Sequence, residues 1–79
     1  MLENHKKEIF ERLGKEVYKL GVTARKCRQL GEPELATQTH YEIFGVQAAV
    51  EALGFSVEEF TKYYNENRRR FRQEFRNEQ

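Results

Sequence analysis

The sequence predicts an all-α protein, a small three-helix bundle that forms one domain over residues 1–79. Apolar residues recur with helical spacing over three long segments, and glycine-containing breaks separate these segments. The composition, with 38% hydrophobic residues and ten aromatic side chains (four Tyr and six Phe), is that of a folded domain. A chain of this length buries only about 60% of its unfolded surface, so self-association or a partner would add stability.

The first predicted helix extends from Glu3 to about Arg28. Its apolar stripe has steps of three and four residues and consists of Phe10, Leu13, Val17, Leu20, Ala24 and Cys27. Two alternatives remain open at Gly21. Either the helix continues, because the stripe keeps its phase, or it breaks there and Thr23 caps a second short helix. In the second case residues 16–30 resemble a helix-turn-helix motif, whose exposed residues would contact DNA: Arg25, Lys26, Arg28 and Gln29.

The second predicted helix, about 33–53, begins at Pro33, a residue that suits the first helical position. One apolar stripe consists of Leu35, Thr39, Ile43, Val46, Val50 and Leu53. A second, offset stripe consists of Tyr41, Gly45, Ala48, Ala49 and Ala52. Because little of its surface is polar, we expect this helix to be the central one, covered on more than one side. The small residues of the second stripe allow close approach of another helix, either inside the monomer or in a homodimer or partner complex.

Residues 54–56 predict a tight, capped corner between the second and third helices. Gly54 suits the left-handed position that ends a helix. Ser56 and Glu59 form a capping box, and Phe55 and Phe60 form the matching hydrophobic staple. The third helix then runs from Val57 to about Phe75. Its far side carries a basic surface that either is simply solvated or contacts phosphates or an acidic protein: Arg68, Arg69, Arg72 and Arg76.

The net charge of +1 conceals an uneven distribution along the chain. Residues 1–28 hold eight Lys or Arg against four Glu, whereas residues 29–67 hold one Lys against seven Glu. Residues 68–76 are again basic, with five Arg against one Glu. The basic ends can therefore pair with the acidic middle or meet an external polyanion.

Nothing in the sequence indicates catalysis, a cofactor or a metal site. The chain has no Asp, and His5, His40 and Cys27 lack the spacing of metal ligands. Cys27 lies on an apolar stripe, where a free cysteine is usually a small buried hydrophobe. A lone cysteine forms no intramolecular disulfide and fits a reducing compartment. The charged N-terminal residues argue against a signal peptide or a membrane span, so we expect a cytoplasmic location.

The function expected from these observations is non-catalytic binding of another macromolecule through helical surfaces. Such a protein would be an adaptor, regulator or inhibitor of a larger protein and would act as a homodimer. The alternative is a small DNA-binding regulator that uses the helix-turn-helix interpretation of residues 16–30.

Overall fold

The computed structural model describes residues 2–78, which form three α-helices joined by two short loops. Helix α1 spans Leu2–Gln29, α2 spans Pro33–Ala52 and α3 spans Val57–Glu78. The predicted class, a small all-α three-helix bundle, is confirmed. The predicted helix boundaries agree with the observed ones to within a few residues.

Helix α1 passes through Gly21 without a break. The two glycines with positive φ are Gly31 and Gly54, each just beyond the end of a helix. Continuing the helix keeps the apolar stripe in phase, so that Ala24 is fully buried while Phe10 stays in the core. The continuous-helix alternative is therefore correct, and the helix-turn-helix interpretation of residues 16–30 is wrong as a description of the local structure.

Both interhelical loops begin with the same backbone motif. At the end of α1, Gly31 has φ +74° and the Glu32 N–H donates to the Cys27 carbonyl at 2.8 Å. At the end of α2, Gly54 has φ +84° and the N–H of the next residue donates to the Val50 carbonyl at 3.1 Å. This is the pattern in which a left-handed glycine satisfies the last carbonyls of a helix. The predicted role of Gly54 is confirmed.

The corner before α3 is capped by Ser56, which supplies one of the two hydrogen bonds of the predicted capping box. The Ser56 Oγ accepts a hydrogen bond from the Glu59 N–H at 3.3 Å. Phe55 and Phe60 both contact the Phe10 ring edge-on, with ring centroids 5.7 Å and 5.3 Å from it. The two rings of the predicted staple are thus held by a third ring from α1. The Glu59 carboxylate lies 3.0 Å from Lys6 Nζ and gives the start of α3 a second link to α1.

The sequence predicted α2 as the central helix, but in the structure the central helix is α1. Helix α1 packs against both other helices, whereas α2 and α3 contact each other little. The core forms around Phe10, Val50 and Phe60, near the corner where all three helices meet. From that corner the molecule spreads into a flattened shape of 45 × 28 × 16 Å. Helical periodicity identified two apolar stripes on α2, but only the middle of the first stripe packs inside the molecule. Thr39 and Val50 are buried there, whereas Leu35 and Leu53 at its two ends are exposed.

Arg70, in the middle of the arginine run of α3, has a structural role, because it links α3 to α1. It donates hydrogen bonds to both carboxylate oxygens of Glu11 on α1 and lies 3.1 Å from Glu74. The Tyr63 hydroxyl donates to the same Glu11 carboxylate at 2.6 Å. These hydrogen bonds, chiefly those from Arg70, lower the pKa of Glu11 from 4.5 to about 2.

Acid is therefore expected to weaken the fold through Glu11. Well above pH 4.5 the carboxylate is ionised in both the folded and the unfolded chain, and its contribution to stability is complete. As the pH falls from 4.5 to about 2, the unfolded chain takes up a proton that the folded chain does not. Urea unfolding of Glu11→Gln should show a stability lower by on the order of 1–2 kcal/mol at neutral pH, allowing for solvent around the partly exposed Arg70. The difference in stability between Glu11→Gln and wild type should disappear as the pH approaches about 2.

The matched control for this prediction is Glu16→Gln, which removes the same charge at an exposed position of α1. The stability of this control should depend on pH in the acid range as that of wild type does. A Glu11→Gln profile parallel to that of wild type over the whole acid window would contradict the role given to Glu11.

Candidate functional site

The first candidate surface is the outer face of α2, by which we mean Tyr41, Phe44, Gly45, Ala48, Ala49 and Ala52. All six residues are exposed, Tyr41 to 68% and Phe44 to 60%. A Cβ atom added at Gly45 would meet nothing within 4 Å. The five residues predicted as an interface therefore share one open face, and a tight contact inside the monomer is excluded for them. Sequence reasoning missed Phe44, although its position three residues after Tyr41 places it on the same side of the helix.

Exposed apolar side chains concentrate on this part of the chain. Among the described residues, the large hydrophobic side chains that are exposed all lie between positions 30 and 53: Leu30, Leu35, Tyr41, Phe44 and Leu53. The Tyr41 and Phe44 rings lie edge to face, with their centroids 6.4 Å apart. Single exposed apolar residues are ordinary, but three on one helix, Leu35, Tyr41 and Phe44, indicate an interaction surface.

The second candidate surface is a groove of about 680 Å³ between the C-terminal half of α1 and α3. We call it the arginine groove, because five of the residues that line it are arginines: Arg25, Arg68, Arg69, Arg72 and Arg76. The four arginines of α3 are the predicted basic surface. Arg25 is one of the residues predicted to contact DNA. The continuous α1 helix places it opposite the arginines of α3. No pattern in the sequence indicates that these two sets of residues share a site.

Aromatic rings form the inner wall of the arginine groove. Tyr18 and Phe75 are in contact, with ring centroids 5.8 Å apart, and Tyr64 lines the same wall. Burial raises the pKa of the Tyr64 hydroxyl above its ordinary value. Gly21 contributes to the floor, where an added Cβ would meet nothing within 4 Å. The groove therefore combines cationic side chains with flat apolar surfaces and an open floor.

The charge of the groove is not compensated within the part of the chain that the structure describes. None of its five arginines forms an ion pair with a described carboxylate, whereas Arg12 and Arg70 each do. No acidic residue occurs anywhere between Val17 and Gly31. The lining residues include no Asp or Glu. Four of the five arginines of residues 68–76 are therefore gathered with Arg25 in one recess.

The other residues predicted for DNA contact lie outside the arginine groove. The Arg28 Nη2 donates to the His40 Nε2 at 2.9 Å, which requires that nitrogen to be unprotonated. Arg28, Gln29 and His40 line a neighbouring hollow of about 450 Å³ that shares Gly21 and Arg25 with the groove. Lys26 is exposed and lines neither cavity.

Neither a metal site nor a membrane-spanning helix occurs among the described residues. No three His, Cys, Asp or Glu side chains there are placed to hold a metal ion. No helix in that part of the chain has both the length and the hydropathy to cross a membrane. Cys27 is a free, partly buried thiol on the side of α1 that carries the apolar stripe.

Comparison of the chain with protein-family models, with curated proteins and with solved structures finds no match. The class that the fold defines is a small all-α three-helix bundle, and its two candidate surfaces are the outer face of α2 and the arginine groove.

Proposed function

We propose that this chain is a non-catalytic, cytoplasmic binding protein that presents helical surfaces to other macromolecules and acts as a homodimer. Its role would be that of an adaptor, regulator or inhibitor of a larger protein. The observation that carries the proposal is the outer face of α2, an apolar surface that the described residues leave exposed. Burial of such a surface stabilises a complex by roughly 25 cal/mol per Å² of apolar area, before the costs of association.

A second copy of α2 fits the shape of this surface. Gly45 and the three alanines allow two helix backbones to approach closely, while Tyr41 and Phe44 supply bulk at one end of the face. In an antiparallel, two-fold arrangement each aromatic pair would lie over the small residues of the other copy. Tyrosine is enriched at the energetic centres of interfaces because it combines apolar area with a polar tip.

The charges of α2 give this proposal a specific salt dependence. The helix carries Glu34, Glu42 and Glu51 and no Lys or Arg. Two copies in contact would bring like charges together at the rim of the interface, and salt screens such repulsion. We therefore expect the homodimer to become tighter as the salt concentration rises.

The proposal is tested by introducing a charge in the middle of the outer face. Ala48→Glu should weaken self-association at least about tenfold, equivalent to about 1.4 kcal/mol, because a carboxylate would have to be buried opposite an apolar helix. Sedimentation equilibrium over micromolar concentrations measures the dissociation constant. Gln73→Glu is the matched control, since it adds the same charge at an exposed position on α3. If the wild-type chain remained monomeric at hundreds of micromolar, the proposed homodimer would be wrong.

A further inference from the structure

We propose that the arginine groove binds single-stranded nucleic acid, with its guanidinium groups on the phosphates and its aromatic rings against the bases. This inference goes beyond the proposed homodimer and does not depend on it. The groove lies between α1 and α3, and the outer face of α2 contributes none of its lining. The two proposals can therefore fail separately.

The uncompensated charge indicates the kind of ligand. Arg70 shows that this fold can pair an arginine with carboxylates from two helices, yet the arginines of the groove have no such partner among the described residues. Several guanidinium groups in one recess repel one another and raise the local concentration of anions. Arginine also matches phosphate geometrically, because its planar group donates two parallel hydrogen bonds. The ligand that relieves this repulsion is a multivalent anion.

The positions of the arginines favour a chain of phosphates over a single phosphate. Arg68, Arg72 and Arg76 recur every four residues, so they form a row along α3 with steps of about 6 Å. Arg25 faces this row from α1. A row with this repeat suits the successive phosphates of an extended strand, whereas an isolated phosphate would use only one or two of its members.

The aromatic wall favours a single strand over a duplex or an acidic peptide. Tyr18, Tyr64 and Phe75 are partly exposed inside the groove and offer flat surfaces on which bases can stack. A duplex keeps its bases stacked on each other and cannot present them to rings on an inner wall. An acidic peptide would satisfy the arginines but would leave these rings without a specific partner. Gly21 leaves room on the floor for the ligand to approach the backbone of α1.

Fluorescence anisotropy with the full chain tests the proposal, using labelled single-stranded RNA and DNA of one mixed sequence over a range of salt concentrations. Binding should weaken as salt rises, with a slope of about 0.7 for each phosphate contact. Arg68→Gln combined with Arg72→Gln should weaken binding at least about tenfold and flatten the slope by about 1.4. The control combines Lys7→Gln with Lys62→Gln, which removes the same charge at exposed positions outside the groove. It should stay within about threefold of wild type.

A second pair of variants separates loss of binding from loss of folding. Gly21→Glu and Gly21→Gln place side chains of equal size on the open floor, and both residues favour a helix more than glycine does. Thermal melts should therefore show both variants to be at least as stable as wild type. The carboxylate of Gly21→Glu should weaken binding several-fold more than the amide of Gly21→Gln, because it neutralises the arginines around it.

Three results would overturn the inference. One is the absence of binding to either single strand at low salt. Another is an equal loss of affinity in the control variant, which would assign the attraction to the whole surface. The third is competition by unlabelled duplex or by polyglutamate as effective as that by unlabelled single strand. Ala48→Glu should bind the single strands as wild type does, so failure of the homodimer leaves this test unaffected.

Discussion

Replacing Phe60 with alanine is expected to lower the free energy of unfolding by about 3–5 kcal/mol. That loss is a large part of the stability of about 4–12 kcal/mol expected for a domain of this size. Phe60 is 3% exposed and packs edge-on against Phe10 at the corner where the three helices meet. Its removal would leave a cavity that neither the capped turn nor the long helices can close, so the variant should unfold at a much lower urea concentration than wild type.

Phe44→Ala is the matched control, because it makes the same substitution at a ring that is 60% exposed. Urea unfolding of both variants, at concentrations below the dissociation constant of the homodimer, compares their stabilities directly. Phe44→Ala should stay within about 1 kcal/mol of wild type. A Phe60→Ala protein as stable as Phe44→Ala would show that the corner does not hold the core.

The corner could be predicted from the sequence because every signal for it is local. Gly54, Ser56 and Phe60 act through backbone conformation and contacts that span a few residues. The partner of the staple was not predictable in the same way. The ring that holds Phe55 and Phe60 together is Phe10, which is some fifty positions away along the chain, and no local pattern identifies such a contact.

The arrangement of the helices was harder to predict than their boundaries. Periodicity shows which faces of a helix are apolar, but it does not show how many of them are covered. Helix α2 has two apolar stripes, and the structure covers only the middle of one of them, whereas α1 packs against both other helices and takes the central position. The arginine groove was missed for a related reason. Arg25 and Arg72 are both recognisable as basic surface residues, but only the packing of α1 on α3 brings them together.

The two glycines inside α1 have the same cost on a helix-propensity scale, and the structure predicts opposite effects of replacing them. A Cβ added at Gly14 would lie 2.8 Å from two ring carbons of Phe71, a side chain that is 1% exposed and cannot move aside. Gly14→Ala should therefore be destabilising by about 1–3 kcal/mol despite its better helix propensity. At Gly21 the added methyl group meets nothing, so Gly21→Ala should stabilise the fold by about 0.5–1 kcal/mol.

Thermal and urea unfolding of the two variants side by side tests this difference in sign. Both substitutions add one methyl group to the same helix, so their effects on the unfolded chain cancel when the variants are compared. The difference between them reports the contact of Gly14 with Phe71. If Gly14→Ala also stabilised the protein, the Phe71 ring would have to lie away from the backbone of α1, and the packing of α3 described above would be wrong.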